Sequence, residues 1–181
     1  YGMWNTKLGR FYNQGKEDDF QYFFGLSHEQ SDYTDYGTED SWLHMQDDPD
    51  YRKTKLYGRA KYDIEPGRES ISIFYNYSAH TGDAGRPNRG YDHDYDLLNA
   101  AYSNKLSDTW YLTSRAGLRS YDREWEEDNY PDLSLRETDS VKQTIVPLDF
   151  TAAYSGFGLL TFGTDMQFAD YETGAEVAGV R

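Results

Sequence analysis

The sequence predicts an all-β fold: a segment of an antiparallel transmembrane β-barrel, about eight strands, with short periplasmic turns and long extracellular loops. Three observations predict it. Between Gln143 and Tyr171, Val146, Leu148, Phe150, Ala152 and Tyr154 alternate with Pro147, Asp149, Thr151 and Ala153. After Ser155-Gly156-Phe157-Gly158, Leu160, Phe162, Thr164, Met166 and Phe168 alternate with Thr161, Gly163, Asp165 and Gln167. A period of two puts successive side chains on opposite faces, so this is a hairpin with one apolar and one polar wall. Each run has about ten residues, the length a tilted strand needs to cross a bilayer's hydrocarbon. Second, charge itself alternates from Tyr51 to Tyr62: Lys53, Lys55, Arg59 and Lys61 share a face with Tyr57, opposite Thr54, Leu56, Gly58, Ala60 and Tyr62. Third, the connections alternate short and long along the chain, as in outer-membrane barrels. A soluble sandwich has no physical reason to keep that order.

Taken in turn, Trp4, Thr6 and Leu8 begin a weak first strand ending near Tyr12, followed by a polar turn from Asn13 to Asp19. Phe20, Tyr22, Phe24 and Leu26 line the second strand. Ser31 to Asp50 is acidic and lacks apolar periodicity, so it reads as a loop. The third strand, Tyr51 to Tyr62, meets the Pro-Gly turn Ile64-Glu65-Pro66-Gly67-Arg68. Ile71, Ile73, Tyr75 and Tyr77 alternate in the fourth strand, and Ala79 to Asp94 reads as a second long loop. The fifth strand carries Leu98, Ala100 and Tyr102, the short turn Asn104 to Asp108 follows, and the sixth shows Trp110, Leu112, Ala116 and Leu118. Glu124 to Ser140 is a third acidic loop, and Thr173 to Glu176 opens a fourth.

Composition narrows the function classes. With 181 residues, the chain reads as one domain, 1–181, a partial barrel. The net charge of -14 makes duplex nucleic acid a poor partner. Without cysteine there is no disulfide framework or thiolate metal site. A mean hydropathy of -0.94 would suit a very polar soluble chain, but 17% aromatic content and regular alternation argue against disorder. In a barrel only alternate residues face lipid, so low mean hydropathy is expected. The start at Tyr1 without a signal peptide, and the end at Arg181 without an aromatic terminal strand, read as those of a piece of a longer or processed polypeptide.

Lys53, Lys55, Arg59, Lys61, Arg115 and Arg119 fall opposite the apolar faces, which places them in the lumen; lipid-side charges would cost ~2–4 kcal/mol each at midplane. They would attract an anionic solute or grip a plug, or form a solvated wall balanced by Asp149 and Asp165. Asp35, Asp40, Asp47, Asp48 and Asp50 supply enough oxygens for calcium but lack fixed ligand spacing, so ordinary loop acidity is the plainer reading. The third loop's Glu126, Glu127, Asp128, Asp132, Glu137 and Asp139 are a weaker case of the same kind. His28, His44, His80 and His93 are placed at or beyond the extracellular strand ends, where they are either metal-binding or simply polar. Trp42, Trp125 and Tyr130 fall in loops and would stack on a ligand or pack the loop; with His44, His80 and His93 they are the ligand-loop candidates. Trp4, Tyr12, Tyr62, Tyr77, Trp110, Tyr154 and Tyr171 suit interfacial aromatic belts. No Ser-His-Asp order, metal-ligand spacing or phosphate loop stands out, so no catalytic residue is expected and the chain reads as a non-enzyme without a cofactor.

The runs Leu56-Tyr57-Gly58-Arg59-Ala60-Lys61-Tyr62-Asp63, Ser70-Ile71-Ser72-Ile73-Phe74-Tyr75 and Leu159-Leu160-Thr161-Phe162-Gly163-Thr164-Asp165, with Phe20 to Tyr33, resemble barrel strands of TonB-dependent outer-membrane receptors. The resemblance implies a barrel of about 22 strands with a plugged lumen. It implies a Gram-negative outer-membrane location, a plug domain, an inner-membrane energy-coupling partner, and uptake of a siderophore, vitamin or glycan. The plug and the terminal aromatic strand are not recognisable here. A passive porin, a scaffold barrel around a redox partner, and a soluble β-rich ligand-binding domain are the other readings.

Overall fold

The computed structural model describes residues 5–32, 51–83, 89–128 and 135–179. Eight strands form one antiparallel sheet: β1 (Lys7–Glu17), β2 (Phe20–Ser31), β3 (Tyr51–Glu65), β4 (Glu69–Asp83), β5 (Arg89–Lys105), β6 (Trp110–Asp128), β7 (Leu135–Tyr154) and β8 (Leu160–Gly179). Each strand pairs with its sequence neighbours in the order β1 to β8. Among the described residues, β1 and β8 are therefore paired on one side only. This is the meander of a barrel wall.

Turn chemistry fixes the tight ends. The amide of Arg68 donates to the carbonyl of Glu65 at 2.9 Å, closing a four-residue turn around Pro66 and Gly67. Gly67 has φ 76°, the left-handed value that type II demands after proline, at no steric cost to glycine. At the β1–β2 end Asp18 takes φ 49°, a conformation that aspartate tolerates better than most residues.

No hydrophobic side chain is buried among the described residues. A soluble sandwich would gather Leu56, Ile73, Leu112, Phe150 and Phe162 into one core. Instead Ile73 and Phe162 remain 47% and 57% exposed. Register gathers a band of apolar residues side by side on one face, while Leu8, Phe23, Phe74, Leu97 and Ile145 fall on the other. One row crosses the sheet as Phe20–Tyr62–Ile71–Tyr102–Ser114–Phe150–Thr164. The next is Tyr22–Ala60–Ile73–Ala100–Ala116–Leu148–Met166. The first row begins at the β1–β2 turn yet meets β8 at Thr164, four residues above Leu160 where β8 starts. Closing a sheet into a barrel requires such a stagger.

Above the apolar band the same face turns acidic, through Asp92, Asp94 and Asp96 on β5, Asp122 and Glu124 on β6, and Asp170 and Glu172 on β8. Tyr75 and Tyr77 mark the border, their hydroxyls donating to Asp96 at 2.6 Å and Asp94 at 3.1 Å. A tyrosine suits that depth, with its ring in the apolar layer and its hydroxyl in the polar one.

Strand ends depart from the sequence expectation. β1 does not stop near Tyr12 but runs to Glu17, leaving only Asp18 and Asp19 as the turn. The excursions expected at Ala79–Asp94 and Glu124–Ser140 are strand on both flanks, β4 to Asp83 and β5 from Arg89, β6 to Asp128 and β7 from Leu135; 84–88 and 129–134 lie outside the described residues. Thr173 to Glu176, expected as a loop, lies within β8. The physical reason is that apolar alternation marks only the lipid-facing length. Beyond it, polar and aromatic residues keep the ladder bonded with no apolar face to announce it. β8 has 20 residues, about twice one bilayer crossing.

Candidate functional site

The polar face carries all six basic residues named from the sequence. Lys53, Lys55, Arg59 and Lys61 follow one another up β3, and Arg115 and Arg119 share that face from β6. Lys61 pairs with Asp63 at 2.6 Å and Arg115 reaches Asp149 at 3.8 Å. Asp165 lies directly opposite Asp149, a like-charge pair that leaves carboxylate for this corner. Among the described residues no ion pair engages Lys53, Lys55, Arg59 or Arg119. Around the lower cations a recess of about 500 Å³ is lined by Gln14, Lys16, Gln21, Phe23, Arg59 and Lys61.

Farther from the tight turns, three successive rows across β3, β4, β5 and β6 form an array. The outermost is Tyr51–Gly82–Tyr91–Trp125, the middle Lys53–His80–His93–Arg123, and the innermost Lys55–Ser78–Tyr95–Tyr121. These twelve positions hold five aromatic rings, two imidazoles and three permanent cations, and no carboxylate. Period two dictates the arrangement: from Tyr91, residues 93 and 95 must share its face, and antiparallel register sets them beside their partners. His80 and His93 are thus direct cross-strand neighbours, with ring centroids 6.4 Å apart.

Ring contacts knit the array. Tyr91 lies 5.0 Å from His80, 5.3 Å from His93 and 6.5 Å from Trp125, nearly parallel to the last. Tyr51 meets His80 edge-on at 5.7 Å, and His93 meets Tyr121 at 6.2 Å. The Tyr91 hydroxyl and His80 Nε2 are hydrogen-bonded at 3.0 Å, and the Tyr51 hydroxyl donates to Glu29. Such contacts hold flat surfaces in fixed orientation.

Electrostatics favour neutral imidazoles here. Burial lowers the His80 pKa, Lys53, His93 and Lys55 lower it further, and Glu29 opposes them. His93 is lowered by burial and then Arg123, with Asp92 opposing. Its Nε2 is enclosed without a hydrogen-bond partner, so a proton added there would be poorly solvated.

The ligand-loop candidates are divided by this geometry. His80, His93 and Trp125 come together, but from strands; their expected loop position is incorrect. Trp42, His44 and Tyr130 lie outside the described residues, as do Asp35, Asp40, Asp47, Asp48 and Asp50 of the calcium reading. Among the described residues no group of three or more His, Asp or Glu side chains could hold a metal ion. His28 faces the apolar side of the sheet and bonds Thr54 Oγ1 at 2.9 Å, apart from the other histidines. Sequence reasoning missed Tyr51, Tyr91, Tyr95, Tyr121 and Arg123. The signal was the parity of Tyr91, His93, Tyr95 and Leu97, which continues unbroken into β5.

No protein-family model matches the chain, and no curated protein matches it in sequence. Solved structures do. FpvA of P. aeruginosa, in an iron complex and described as bound to heterologous pyoverdines, superposes with a TM-score of 0.63 at 11% identity, over 96% of this chain and 27% of FpvA. OmpT, an outer membrane protein of Vibrio cholerae in trimer form, gives 0.44 at 11% identity over 93% and 56%. The outer membrane transporter YddB from Escherichia coli gives 0.44 at 9% over 96% and 32%. The chain thus spans 27%, 56% and 32% of these structures. At 11% identity the likeness to FpvA is one of fold.

Proposed function

We propose that this barrel wall belongs to an outer-membrane transporter of a Gram-negative envelope, and that its polar face lines the passage a ligand takes. One observation carries the reading: among the described residues the sheet has no buried hydrophobic core, and one face is an apolar band fit for acyl chains while the other is a cationic, aromatic surface. Charges confined to the side away from lipid avoid the cost of a midplane cation, ~2–4 kcal/mol. Apart from the β6–β7 interruption between Ala116 and Arg119, the ladder pairs backbone of the interior strands that would otherwise be bare in hydrocarbon. Strands that outrun the bilayer carry the aromatic array above the membrane, where an arriving solute meets it first. The proposal extends to a plug within the lumen and energy coupling from the inner membrane, and it assigns no bond-making chemistry to this wall.

Single-tryptophan variants test the placement. Trp110 lies on the apolar face near the tight turns and Trp125 on the polar face beyond the band. In vesicles of brominated-acyl lipid, Trp110 fluorescence is quenched and Trp125 fluorescence is not. Equal quenching of both would overturn the proposal.

A further inference from the structure

We infer that the middle row of the array, Lys53–His80–His93–Arg123, binds a short acidic oligosaccharide. The inference rests on the transporter reading and names its ligand class. Four basic or imidazole groups stand in line on four adjacent strands, and three strand spacings make that line about 14 Å long. A compact anion cannot span it, whereas an extended ligand with repeated carboxylates or sulfates can. On either side run flat rings, Tyr91 and Trp125 on one flank and Tyr95 and Tyr121 on the other. Aromatic faces suit the apolar face of a sugar ring, while hydroxyl and imidazole groups at their edges suit its hydroxyls.

Charge decides against the competitors. A bare divalent cation between His80 and His93 would sit in one row with Lys53 and Arg123, and repulsion at such range outweighs two neutral nitrogen donors. Long nucleic acid is opposed by the chain's overall charge of -14. Glu29, which continues the row past Lys53, is engaged by the Tyr51 hydroxyl. The twelve array positions themselves hold no carboxylate.

Calorimetry on the full chain in neutral detergent tests this, using an oligogalacturonate, a neutral galactan of equal length, and naphthalene-2-carboxylate as a compact aryl acid. The acidic oligomer should bind at least about tenfold tighter than either other probe, and more weakly as salt rises. Arg123→Gln and Lys53→Gln should each weaken it about tenfold, the loss of one charge-assisted bond. Lys142→Gln, on the opposite face beside Asp122, should leave it unchanged. Circular dichroism confirms that each variant keeps its strands. Equal binding of the neutral oligomer, tighter binding of the aryl acid, equal loss in Lys142→Gln, or no binding at all each overturns the inference. Quenching of Trp110 by brominated lipid is read separately, so a failed ligand and a failed membrane placement give different results.

Discussion

Ile73 sits at the middle of the apolar band, between Ala60 and Ala100 in its row and about half exposed. Ala79 lies on the same strand and the same face, three rows farther out, beside Asp94. Arginine at Ile73 places a guanidinium against acyl chains near midplane and should cost roughly 2–4 kcal/mol, falling to ~0–1 kcal/mol at the level of Ala79. Since every 1.4 kcal/mol is tenfold, Ile73→Arg should shift the folding equilibrium by roughly 30- to 700-fold and Ala79→Arg by less than about fivefold. Urea titration of the chain reconstituted in vesicles, followed by tryptophan emission, reads both. Asn76→Arg, on the polar face of the same strand, should stay within about 0.5 kcal/mol, as surface substitutions do. If Ile73→Arg and Asn76→Arg cost the same, the face assignment is refuted. If Ala79→Arg costs as much as Ile73→Arg, the depth assignment is.

Three further outcomes are expected. Gly117→Val should destabilise by about 1–3 kcal/mol in the same titration, because a Cβ there would lie 2.6 Å from Asn99 Oδ1 and 3.0 Å from Pro147 Cγ; an unchanged midpoint would show the space to be open. Gly67→Ala should cost about 1–2 kcal/mol, since φ 76° is left-handed, and Pro66→Ala should cost less. His80 and His93 prefer to be neutral when folded, so the unfolded chain binds more protons below the ordinary histidine range, near 6.5. Stability is full above that pH and is lost as pH falls toward the depressed folded values; the difference between pH 7 and pH 5 should shrink in the His80→Gln/His93→Gln double variant, and an unchanged pH profile would contradict the burial argument.

Strand number, sheet order and, from β2 onward, face were legible because period two is a covalent consequence of the extended backbone, visible wherever a polar and an apolar solvent sit on opposite sides; in β1, Leu8 instead falls in the polar row of Glu29 and Lys53. Lys53 to Lys61 shows this, its charges appearing at every second position save Tyr57. Strand length was not legible, because past Leu98 toward the chain start neither face touches lipid, and Asp96, Tyr95, Asp94 and His93 show no apolar contrast. The pairing of His80 with His93 was hidden for a further reason. It depends on where the β4–β5 hairpin turns, and Gly82, Gly85 and Gly90 offer several places. Pro147 also reads oddly for a strand interior, since proline cannot donate to a ladder. The sheet accommodates it opposite Gly117, where the β6–β7 ladder is interrupted between Ala116 and Arg119.

The outer edges of β1 and β8 bear on the order of events in a living envelope. Among the described residues, alternate amides and carbonyls along each point sideways with no ladder to receive them, and every such group left bare in hydrocarbon costs several kcal/mol. About ten residues of β8 lie at that depth. That combined penalty opposes entry of the ribbon with both rims bare. Zipping of both rims, whether to companion strands or to an insertion machine that lends its own edge, has to come before the plunge or together with it.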